Sequence, residues 1–177
     1  MGSSVSLYRL DQSLIMDFER GHKSPWVTFD NIEDVAQEAT GPTTNSSPII
    51  LAVGKMWEYM IEVLSGERHM SSLRDPWHSY YISSLAWSIA GRETSIYDDR
   101  GGHILRYNNI EDVSIIYESL KSLDLDDIIN RTIELNLKFG MEIYDKNIEI
   151  VLNAVYNLTI FYELAFYNNN AIFSWKI

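Results

Sequence analysis

Between residues 147 and 167 the chain carries apolar side chains on two sides of a helix at once. Ile148, Val151, Leu152, Val155, Leu158 and Tyr162 recur with the spacing of a face turned to a core. Ile150, Ala154, Phe161 and Leu164 fill much of the opposite side. A helix that is apolar nearly all round is expected to be buried or sandwiched between layers. Asn168, Asn169 and Asn170 then turn the chain, and strict alternation follows. Ala171, Phe173, Trp175 and Ile177 share one face of a strand, with Ser174 and Lys176 on the other. Val5 to Leu10 at the other end reads as a short strand, and pairing it with 171–177 gives the long helix a sheet to pack on. The expected fold class is α+β: one mostly helical domain over residues 1–177, with a small sheet that includes the N- and C-terminal strands. If Leu152 is buried there, Leu152→Ala should cost about 2–5 kcal/mol.

The segments between punctuate themselves. Asp11 offers an N-cap to a helix with Leu14, Ile15 and Phe18 inward, and Gly21 ends it. Asp30 and Glu33 resemble a capping box; Asp34 and Glu38 join them on the outer, acidic side of that helix. Residues 40–48, TGPTTNSSP, form a loop by composition. A helix is expected over about 50–64, ended by Gly66. Around Asp75-Pro76 the chain turns, and Trp77, Tyr80 and Tyr81 crowd together. A short helix stops at Gly91, and residues 92–107, with Asp98, Asp99, Gly101 and Gly102, read as a loop. Asn109 with Asp112 caps one helix, and Asp124 with Asp127 opens another.

Chain length and charge bound what such a domain can do. At 177 residues it can bury roughly 70% of its unfolded surface, so it can fold alone. Lys and Arg number 14 against 25 Asp and Glu, a formal charge of −11. Without a basic stripe to neutralise phosphates, nucleic acid is disfavoured as a partner, and an anionic membrane surface would repel the chain. No uninterrupted run of about 18 apolar residues points to a membrane span, and no basic region precedes an apolar stretch at the N-terminus. There are no cysteines, which removes disulfides, thiol catalysis and cysteine-ligated metals. The natural setting for such a chain is a reducing cytoplasm.

Chemical signatures are sparse. His22, His69, His78 and His103 include no pair at ligand spacing, and no HExxH or GxSxG run occurs. The loop around Gly101 lacks the lysine and spacing of a phosphate cradle. Glu58 and Glu62 lie four apart, with nothing nearby to shift a carboxylate pKa. No cofactor, metal or catalytic residue is expected.

The runs KMWEYMIEVLSG, AWSIAGR, LRYNNIEDVSIIYESLKSLD and MEIYD, followed by the long helix and closing strand, are similar in order and spacing to the bacterial YfbM-like family. MGSSVSLYRL fits its first strand. Lys55, Trp57 and Glu58 fall on a KxWD-like run, Gly91 on a glycine after a short helix, Asn109 on a cap, and Tyr144 on an IYP-like turn. Ile61 and Asp145 depart from the pattern, standing where the family carries a histidine and a proline. The resemblance implies a single α+β domain of unknown function.

Two functions remain as expectations. The first is a non-enzymatic interaction protein, most sharply an immunity protein that neutralises a basic toxin, since an acidic surface steers a basic partner. Its contact residues would be Trp77, Tyr80, Tyr81, Asp98 and Asp99, or the acidic face of Asp30, Glu33, Asp34 and Glu38. The second is a small-ligand binder or enzyme with a pocket near Trp57, Glu58, Tyr97 and Tyr107.

Overall fold

The computed structural model describes residues 4–22, 50–66, 81–97, 104–140 and 145–176. The expected terminal pairing is present. Strand β1 (Val5–Asp11) and strand β5 (Asn170–Lys176) run antiparallel, in register from Val5 opposite Lys176 to Asp11 opposite Asn170. They form the middle of a five-stranded antiparallel sheet of order β2-β1-β5-β4-β3. Strand β2 (Ile50–Gly54) borders β1, and β4 (Ile104–Asn108) joins β5 to β3 (Arg92–Tyr97).

Alternation along the strands divides the interior in two. Val5, Leu7 and Ile172 point into a large core filled by five helices: α2 (Trp57–Ser65), α3 (Ser84–Ala90), α4 (Ile110–Lys121), α5 (Leu125–Lys138) and α6 (Asp145–Tyr167). Tyr8, Leu10, Ala171 and Phe173 point the other way, onto helix α1 (Gln12–Glu19), where Leu14, Ile15 and Phe18 close a smaller core. The sheet is therefore sandwiched between layers, a position expected for the long helix.

Two expectations are corrected. Residues 50–54 are a strand, not the start of a helix: Gly54, at φ +71°, turns the chain before α2 begins at Trp57. Residues 92–107 are not simply a loop, because β3 and β4 form a hairpin with an irregular register between Glu93 and Tyr97. The caps stand as read. Asp11 accepts from the Ser13 amide at 2.8 Å, and Asn109 and Asp112 form a complete capping box. Gly91, at φ +71°, passes so close to β4 and β5 that a Cβ there would lie 3.0 Å from Arg106 and from Ser174 Oγ.

Polar groups bolt the layers together. Asn108 Nδ2 donates to the Trp87 carbonyl at 2.8 Å and to the Tyr162 hydroxyl at 2.9 Å. Tyr162 donates in turn to the Ser88 carbonyl at 3.0 Å. The Arg92 amide donates to Asn108 Oδ1 at 3.2 Å, and its guanidinium pairs with Asp112 at 3.1 Å. Strands β3 and β4 and helices α3 and α6 thus meet at one buried asparagine, and Arg92 ties α4 to them.

Helix α6 is less enclosed than its composition implies. Val151, Val155, Leu158, Phe161, Tyr162 and Ala165 are buried, whereas Leu152 and Ala154 are partly so and Ile150 is 43% exposed. Lys146–Tyr167 is long and apolar enough, by length and composition alone, to cross a bilayer. In the fold it packs one stripe into the core. The apolar side chains on its other side need a different account.

Candidate ligand-binding site

Part of that side closes a trough. Strand β2 contributes Leu51 and Val53, α2 and the turn before it Met60 and Met56, α3 Ile89, and α6 Ile150, Ala154 and Leu158. They enclose a cavity of about 280 Å³, with Asn153 and Asn157 at its rim. Strand β2 is one margin of the sheet among the described residues, and α6 packs against it. Met56 and Ile150 also line a second compartment of about 360 Å³, completed by Lys55, Tyr59, Asn136, Asn147 and Val151.

The second compartment supplies polarity. Asn136 lies in α5, on the buried stripe with Ile128, Thr132 and Leu135, and is only 2% exposed. Asparagine is a poor choice for a buried helix interior, since its amide must be satisfied away from water. The Tyr59 hydroxyl donates to Asn136 Oδ1 at 3.0 Å and lies 3.4 Å from the Thr132 carbonyl. The Asn136 Nδ2 is left buried and without a hydrogen-bond partner. Burial pushes the Tyr59 pKa up, partly offset by the hydrogen bond at Thr132, so the hydroxyl stays a neutral donor. Exposed Lys55 places a cation in the wall. An apolar cavity joined to a few placed polar groups is the usual composition of a small-molecule site.

A third cavity, of about 410 Å³ beside Glu62, Arg131, Glu134 and Lys138, is structural in character. Arg131 donates to the carbonyls of Val63 at 3.2 Å and Leu64 at 2.8 Å, satisfying the end of α2. Lys138 pairs with Glu62 at 3.2 Å. Among the described residues no three His, Asp or Glu side chains converge as metal ligands would.

The residues singled out from sequence are dispersed. Tyr81 is corrected from a surface anchor to a core residue. It is 6% exposed, its carbonyl accepts from Trp87 Nε1 at 2.7 Å, and the Arg106 guanidinium stands 5.8 Å over its ring. Trp77, Tyr80, Asp98, Asp99, Asp30, Glu33, Asp34 and Glu38 lie outside the described residues. The pocket expected near Trp57, Glu58, Tyr97 and Tyr107 is not assembled from the three whose side chains are described. Trp57 is buried in the helix-side core and Glu58 is exposed. Tyr107 packs on the α1 side of the sheet and donates to the Glu19 carboxylate. The ring of Tyr97 lies outside the described side chains. Lys55, two residues before Trp57 in the chain, lines the second compartment.

Residues 1–174 match the family described as Domain of unknown function (DUF1877). The chain belongs to that family. Among solved structures, this DUF1877 chain is similar to YfbM of Escherichia coli, a protein of unknown function, with a TM-score of 0.61 at 14% identity. The match covers 98% of this chain and 99% of the other. At that identity the likeness shows the shared fold, in agreement with the YfbM-like resemblance of the sequence. No curated protein matches the DUF1877 chain.

Proposed function

We propose that the protein binds a small, largely apolar molecule in the trough between β2, α2, α5 and α6. One observation carries the reading: an apolar cavity adjoins a compartment whose wall holds a nearly fully buried asparagine with an unpartnered amide nitrogen. Leaving such a donor unmet costs about 1–3 kcal/mol, a penalty a ligand acceptor would remove. Anilinonaphthalenesulfonate, a dye that brightens in apolar sites, tests the reading. The native protein should bind about one equivalent, and Asn157→Trp, at an exposed position on the rim, should abolish binding while leaving the melting temperature in place. Absence of dye binding, or binding unaffected by Asn157→Trp, contradicts the reading.

A second reading, capture of a basic protein partner in the cytoplasm, is favoured by the charge of −11. In its sharpest form the protein is an immunity protein that neutralises a toxin. Electrostatic steering would then set the on-rate. A basic toxin domain should associate faster at low salt than at high salt, whereas an on-rate indifferent to salt counts against this reading.

A further inference from the structure

Resting on the trough reading, we infer that the ligand is an unbranched aliphatic chain ending in a carboxylate, with its tail in the β2–α6 compartment and its head beside Asn136 and Lys55. The two compartments differ in kind. Leu51, Val53, Met60 and Leu158 give the first an aliphatic lining with no charged side chain among the described residues. In the second, the charged side chain among the described residues is the ammonium of Lys55, and the unpartnered group among them is a donor, Asn136 Nδ2. Tyr59 already commits its hydroxyl proton toward Asn136 Oδ1 and the Thr132 carbonyl, which leaves the amide nitrogen as the donor to be met. A donor and a cation on one wall select an anionic acceptor over a cationic head. A carboxylate can take both, one oxygen from the ammonium and the other from the amide once the buried Asn136 side chain turns its nitrogen into the compartment. Met56 and Ile150, shared by the two compartments, are 40% and 43% exposed and stand where the chain would cross from one to the other. Methionine at such a point adapts to chains of different length.

The test is calorimetric titration of the full chain with octanoate and decanoate, each below its micellar concentration, beside decanol and decylammonium. Decanoate should bind about tenfold tighter than decanol, in keeping with one charged hydrogen bond. Each methylene between the two acids should tighten binding by about fourfold. Lys55→Gln and Asn136→Leu should each weaken decanoate more than decanol and so erase most of the preference for acid over alcohol. Because Lys55 is exposed, its variant keeps the test open if Asn136→Leu fails to fold. Equal binding of acid and alcohol, tighter binding of decylammonium, or variants without effect on the preference would overturn the inference about the head group while the trough stands. No binding of any of these chains, with the dye still bound at the trough, would overturn the aliphatic tail. Failure of dye and chains together would remove the trough reading itself.

Discussion

Asn136 and Asn108 are both buried amides, and their surroundings give them opposite meanings. Asn108 spends its amide nitrogen on Trp87 and Tyr162 and its oxygen on the Arg92 amide, and so fastens the hairpin to the helices. Asn136 spends its oxygen on Tyr59 and leaves its nitrogen unpartnered. Asn108→Ala should therefore cost about 2–3 kcal/mol of unfolding free energy in urea, because several buried groups lose partners. Asn136→Leu should cost less than Asn108→Ala, since it removes an unmet donor and leaves the Tyr59 hydroxyl the Thr132 carbonyl as acceptor. A larger loss at 136 than at 108 would reverse these assignments. Tyr162 adds a pH signature. Burial raises its pKa well above the ordinary value of 10, with Asp112 reinforcing the shift and the Asn108 hydrogen bond opposing it. The stability tied to its neutral hydroxyl is fully present below pH 10. It is lost as the pH climbs from there toward the folded-state pKa, by at most about 1.4 kcal/mol per pH unit, because only the unfolded chain ionises freely in that range. Tyr162→Phe should lower stability at pH 7, for want of the bond to Ser88, and flatten the decline above pH 10. Urea unfolding at pH 7 and pH 10.5 measures both effects.

Among the elements, α6 separates what the fold needs from what it does not. Phe161 is fully buried, with the Arg9 guanidinium of β1 over its ring, and Phe161→Ala should cost about 3–5 kcal/mol. Ile150 is half out in solvent, and Ile150→Gln should change stability by no more than about 0.5 kcal/mol. If the two substitutions cost the same in denaturant unfolding, the outer apolar side of α6 belongs to the core after all. Leu152, only partly buried, should fall toward the lower end of the range expected from sequence. Legibility divides along the same line. Strands β1 and β5 could be read because the alternation of Phe173 and Trp175 against Ser174 and Lys176 is clean. The caps at Asp11, Asn109 and Asp124 could be read because capping is chemistry local to three or four residues. Strand β2 could not: ILAVG joins KMWEYM in one apolar run, and only the backbone turn at Gly54 divides them. Strands β3 and β4 were hidden by the aspartates and glycines between them and by a register irregularity that spoils period-two patterning.

On the scale of the whole molecule, the trough is built from β2, α2, α3, α5 and α6, whose residues lie up to about a hundred positions apart. No local pattern could show that they meet. Two signals were nevertheless present in the sequence: a helix with more apolar surface than one face of a sheet can cover, and an asparagine on the inward stripe of α5. The aromatic residues around Trp57 drew attention toward a nearby pocket, but Trp57 itself faces the core because large aromatic rings bury the most area there. The net charge of −11 bears on the same surface. If the head of the ligand is anionic, Lys55 holds it against the field of the molecule, and binding of decanoate should strengthen moderately as salt screens that field. Titrations at low and high salt check the sign, and affinity that falls steeply with salt would show that Lys55 dominates instead.

The most direct measurement is methyl-resolved nuclear magnetic resonance of the protein with bound anilinonaphthalenesulfonate. Intermolecular contacts should appear at the methyl groups of Leu51, Val53, Met56, Met60, Ile150 and Leu158, which line the trough. Contacts confined to exposed apolar side chains elsewhere, such as Ile115 on α4 or Leu137 on α5, would contradict the proposal that the trough is the binding site.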